Sequence, residues 1–135
     1  MVCFPGNNES VESLGIFILD DSHPRASIVH VFGEATFAET KSLESAIVGA
    51  VRIGRPVVID MRECRYMDCG AVGVIVRAAK NLGDQLRLAM PRHGQGYRIL
   101  EISGLTRVLH IFETVDEAAG ALGEPAPLRP RLRAV

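Results

Sequence analysis

Chemistry concentrates in residues 60–73, DMRECRYMDCGAVG, where an apolar run gives way to a polar connector and then to a helical pattern. A strand end feeding a helix start presents free backbone N–H groups, which favour an anion or an oxygen acceptor. Asp68, just ahead of the helix, can cap it or meet a partner. Cys69 sits in the first turn, where the helix dipole favours a thiolate and the adjacent Asp68 opposes it. No general base stands near it in sequence, since His23, His30, His93 and His110 are scattered. Cys64 lies five residues earlier, and an oxidised pair requires Cα atoms within roughly 7 Å. A reduced pair is expected, with Cys64 and Cys69 the candidate redox residues.

Other chemical signals are thin. Gly70, Gly73, Gly94 and Gly96 form neither a dinucleotide fingerprint nor a phosphate loop. Cysteines and histidines lack zinc-like spacing, so neither a metal nor a cofactor is expected. The carboxylates are dispersed, with no separable acid–base pair. These residues predict a binding module rather than an enzyme.

The positioning elements follow from pattern. Residues 14–19 (LGIFIL) and 26–32 (ASIVHVF) are short apolar runs around the turn-forming DDSHPR, close enough to pair as a hairpin. Leu43, Ala46, Ile47, Ala50 and Val51 share one helical face. Thr36 with Glu39 matches a capping box for that helix, which should end near Gly54 or Arg55, before Pro56. PVVIDM then reads as a central strand. A second helix is predicted over residues 70–82, with Val72, Ile75, Val76 and Ala79 inward and Gly83 as C-cap. Strand 86–90, a weaker helix over 94–103, strand 108–112 and a terminal helix over 116–122 complete the pattern. The order β-β-α-β-α-β-α-β-α predicts an α/β fold with a central mixed sheet of four or five strands begun by a hairpin, and helices mainly on one face.

Composition agrees with one small domain. The chain has 135 residues, 47% hydrophobic and 23% charged, with a formal charge of −1. Three arginines (Arg129, Arg131, Arg133) and Glu124 lie beyond Gly123, which leaves residues 1–123 at −3. A nucleic-acid-binding surface is not predicted. No apolar run approaches the roughly 20 residues that span a bilayer. Three cysteines and no export-like start suggest a reducing, cytoplasmic setting. Residues 1–12 are expected to be a flexible entry, 13–123 the domain, and 124–135 a disordered Pro/Arg-rich tail.

Several segments, in order, resemble the STAS domain family, and within it the anti-sigma factor antagonists (anti-anti-sigma factors). They are Gly33-Glu34 after the second strand, PVVIDMREC, Arg65-Tyr66-Met67-Asp68, Gly70-Ala71-Val72-Gly73, Leu105-Thr106-Arg107-Val108 and DEAAGAL. The resemblance spans about residues 14–122 and implies a STAS-like (SpoIIAA-like) fold. It implies an anti-sigma factor partner of the serine-kinase type, which phosphorylates the Ser/Thr after the motif aspartate and so breaks the complex. Asp68 matches that aspartate and Cys69 the modified position, while Gly70 replaces a second small polar residue and Ala71 the usual glycine. Thr36 stands where the family has an aspartate.

The partner surface implied comprises Gly33, Glu34, Tyr66, Met67, Asp68, Cys69, Gly70 and Val72, with Met67 or Tyr66 exposed. A thiol cannot take the kinase's phosphate as a hydroxyl does, so the expected function is an antagonist not controlled by phosphorylation at Cys69. The alternatives are a non-phosphorylated STAS scaffold in a sensor or lipid-transport complex, and a thiol-based redox protein. No direct DNA or RNA binding and no membrane insertion are expected, and a homodimer is left open.

Overall fold

A computed structural model describes residues 16–123. The expectations for residues 1–12 and for the tail lie outside the described residues. The elements are β1 (Ile16–Asp20), β2 (Ser27–Ala35), α1 (Thr40–Arg52), β3 (Val57–Met67), α2 (Cys69–Leu82), β4 (Leu86–Ala89), α3 (Gln95–Ile102), β5 (Ile111–Phe112) and α4 (Val115–Gly123). They form one sheet in the order β1-β2-β3-β4-β5. β1 runs antiparallel to β2, and the remaining neighbours are parallel. The α/β fold and the mixed sheet opened by a hairpin are as the pattern predicts, with five strands.

Alternation along the strands sorts the two faces. Val29, Val31, Val57, Ile59 and Leu88 join Leu43, Ala46, Ile47 and Ala50 of α1, Val74 and Ile75 of α2, and Leu100 of α3 in the main core. Ile28, Val58 and Ala89 turn to the other face and pack on Ala118 and Ala119 of α4. Three helices thus cover one face, and the fourth covers part of the other.

The sequence reading is corrected at the strand ends. β3 runs through Met67, so residues 65–67, read as a connector, belong to the strand. Gly33 and Glu34 likewise lie inside β2 rather than after it. Both extensions pass through bulges: His30 pairs with Asp60 but Phe32 with Glu63, and Gly33 with Cys64 but Glu34 with Tyr66. Each step inserts one extra residue in β3, which a hydrophobic pattern does not announce. Gly33 has φ +81°, a backbone state at the second bulge that glycine adopts without steric cost. The last strand shrinks to Ile111–Phe112 because Leu105–Arg107 closes into a 3-10 turn.

At the first bulge a charged residue is buried on the α4 side. Asp60 is 4% exposed. Its Oδ1 accepts from Arg62 Nε (2.9 Å) and Arg62 N (3.1 Å), and its Oδ2 from Arg62 Nη2 (3.0 Å). His30 Nδ1 lies 2.8 Å from Oδ2. Burial raises the carboxyl's proton affinity, but the bonds from Arg62 and His30 outweigh it and hold the group below its ordinary 3.8. A carboxyl depressed in the folded state stabilises the fold above its unfolded value, and that contribution is lost as pH falls through the folded value. Urea unfolding should therefore show stability declining as pH drops below about 3.8. Asp60→Asn should flatten that acid limb and lower stability at pH 7 by about 1–3 kcal/mol.

Candidate functional site

The end of β3 and the start of α2 meet at Asp68, whose backbone is extended (φ −109°, ψ −177°) and whose carbonyl accepts the first helical bond, from Val72 N at 3.1 Å. Its carboxylate serves two helix starts. Oδ1 accepts from Ala71 N at 3.1 Å, and Oδ2 from Phe37 N at 2.8 Å, across 31 residues of sequence. Its own N–H donates to Ala35 O at 3.1 Å. Phe37 opens the 3-10 turn Phe37–Glu39 that leads into α1. Thr36 and Glu39 form the expected capping box, but on this turn rather than directly on α1. Thr36 N–H reaches Glu39 Oε1 at 3.4 Å.

Two further constraints shape the surface. β4 ends opposite Asp60, so the upper half of β3 has no strand on that side. There the Gln95 amide stands in for one. Its Oε1 accepts from Met67 N at 2.9 Å and its Nε2 donates to Met67 O at 2.7 Å, a pairing that fixes which way the amide faces. Gly70 lies against Phe37 so closely that a Cβ on it would sit 2.8 Å from Phe37 Cα.

The register brings the two distant motifs together, with Gly33–Ala35 running beside residues 64–67. Of the expected surface residues, Tyr66 and Cys69 are exposed, and Gly33, Glu34, Asp68 and Gly70 are half-buried. Met67 is not exposed as expected. It is fully buried in the main core, on the same face of β3 as Ile59 and Met61, since the two one-residue bulges cancel. Val72 is also buried, on the core face of α2. Sequence reasoning missed Phe37, 74% exposed, and Gln95. Phe37 had a usable signal as an aromatic directly behind a helix cap. Gln95 had none, because its partner Met67 lies 28 residues away.

Cys64 and Cys69 are free thiols in different settings. Cys64 is half-buried and donates to Tyr66 O at 3.3 Å. Burial, the larger effect, raises its proton affinity above the ordinary 9.0 despite that bond. Cys69 is open to solvent. Among the described residues no group of three His, Cys, Asp or Glu is placed to hold a metal ion. No described helix is long and apolar enough to cross a membrane.

This fold, with a capping aspartate and a glycine at the helix start at the sheet's end, is that of a small α/β domain. The STAS domain profile matches residues 18–118, and the chain belongs to the STAS domain family. Its fold is shared with an anti-sigma factor antagonist from Mycobacterium paratuberculosis, at 23% identity over 83% of this chain and 97% of that one, TM-score 0.75. It is shared too with the phosphorylated form of the Bacillus cell fate determinant SpoIIAA (19%, 78% and 98%, TM-score 0.56). A sulfate transporter family protein from Wolinella succinogenes is a third similar structure (14%, 71% and 83%, TM-score 0.57). No curated protein matches the sequence.

Two outcomes follow from the site. Asp68→Ala strips the acceptor from two helix starts and should cost about 1–3 kcal/mol in urea unfolding, more than a single cap of about 1 kcal/mol. In the intact protein, iodoacetamide followed by peptide mass spectrometry should label Cys69 several-fold faster than Cys64, because the latter is both shielded and held as the thiol.

Proposed function

We propose that this chain is an anti-sigma factor antagonist: it binds an anti-sigma factor of the serine-kinase type in the cytoplasm and so frees a sigma factor for transcription. Its complex is not controlled by phosphorylation at the position the family uses. The observation that carries the reading is the exposed thiol of Cys69 directly after the capping Asp68, on a STAS fold. Similarity to solved anti-sigma factor antagonists supports the partner class. The recognition surface comprises Gly33, Glu34, Tyr66, Asp68, Cys69 and Gly70. The chain works as a binding module and not as an enzyme.

The regulatory half rests on charge. A phosphate adds roughly −1.5 to −2 charge, and inside an interface it disrupts by repulsion and desolvation. With sulfur in place of oxygen at residue 69, ATP leaves the surface unaltered.

Affinity capture with the wild-type chain from its source cells, followed by ATP addition, tests this. An anti-sigma factor should be recovered and should stay bound. Cys69→Ser should gain phosphate at residue 69 in mass spectrometry and release the partner. Phosphate at Cys69 in the wild type, or release on ATP without modification, would refute phosphorylation independence. Recovery of membrane transport components instead would favour the scaffold, and turnover of a disulfide substrate the redox protein.

A further inference from the structure

Phe37 is the largest apolar side chain left open beside Asp68 and Cys69, with 74% of its surface exposed. Its backbone is nevertheless fixed. The N–H is held by Asp68 Oδ2 at 2.8 Å, and the Cα lies against Gly70, where even a methyl group would come within 2.8 Å. The same strands bring the 43%-exposed Tyr66 alongside Glu34, two residues before Asp68. Ile102 and Val108 are comparably open, but they lie at the end of α3 and in the turn beyond it, outside the segments that Asp68 joins. An aromatic presented on immobilised backbone loses little conformational freedom on association, and aromatics dominate interface energetics.

We propose that Phe37 is the apolar anchor of the partner surface, aimed by Asp68 and Gly70 into an apolar socket of the anti-sigma factor. The Asp68 carboxylate bonds the anchor's own amide and Glu34 lies three residues before it in β2, so the socket that fits it carries basic groups on its rim. Asp68 then acts as a positioning residue, directing an aromatic through the aromatic's own amide. Gly70 has the matching role of leaving room. This inference rests on the antagonist reading and adds the residue through which the contact is made.

Titration calorimetry of the purified full chain against the purified anti-sigma factor tests it, with melting temperature and circular dichroism measured in parallel. Phe37→Ala removes an exposed side chain, so it should stay folded while binding about tenfold or more weakly. Gly70→Ala should weaken binding with Phe37 still present, because the added Cβ displaces it. Ile102→Ala, an equally exposed apolar truncation, should bind as the wild type does. Undiminished binding by Phe37→Ala overturns the proposal while leaving the antagonist reading intact. Equal losses in Phe37→Ala and Ile102→Ala overturn it as well, since they would show a general apolar effect. A wild-type chain that binds no anti-sigma factor removes both readings together.

Discussion

One carboxylate joins two helix starts at the end of the sheet. Asp68 gives each of its oxygens to the start of a different helical segment, and its N–H to the strand that precedes one of them. Without such an acceptor, each helix start leaves donors unsatisfied. Because one side chain serves both, the spacing between the two segments is set to the width of a carboxylate. The close approach of Gly70 to Phe37 follows from that spacing. A residue with a Cβ at position 70 would force the two starts apart and stretch the bonds that hold them.

The site also stands on a strand that outruns its neighbour. β4 pairs only with the lower half of β3, and above Asp60 the main chain would lack a partner on that side. Gln95 supplies donor and acceptor together at Met67, the residue before the cap. The buried Met67 side chain anchors the same point into the core. Below it, the Asp60–Arg62–His30 cluster holds the first bulge from the face that α4 leaves partly uncovered. The exposed residues of the site are thus carried on a segment fixed from both sides of the sheet.

How much of this was legible depends on whether a feature is local. The buried face of α1 and Asp68 ahead of α2 are set by residues within one or two turns and read correctly, whereas the Thr36–Glu39 box is present but caps the 3-10 turn ahead of α1. Gly33 and Glu34 were recognised by motif, but their place inside β2 rests on a bulge whose partner is thirty residues away. Met67 shares the core-facing alternation of Ile59 and Met61, whereas in a polar stretch Tyr66 and Met67 look equivalent. Gln95 acts by long-range contact with a strand end, and nothing in its neighbours encodes that. Phe37 was hidden for a different reason. An exposed aromatic in a first turn reads as incidental until the amide beneath it is seen bonded to Asp68.

The thiol pair bears on which kind of switch this surface can support. A redox relay needs a second thiol ready to resolve an oxidised Cys69, and such a thiol reacts as the thiolate. Cys64 is the nearer cysteine in sequence, yet burial holds it protonated and its hydrogen is committed to the Tyr66 carbonyl. It also lies in β3 with its side chain packed at the edge of the main core, while Cys69 opens outward from α2. A disulfide between them would require Cys64 to give up its bond to the Tyr66 carbonyl, one residue before the point where Gln95 holds the strand end. A relay through Cys64 would thus have to work against both its burial and its hydrogen bond, whereas Cys69 is open to solvent.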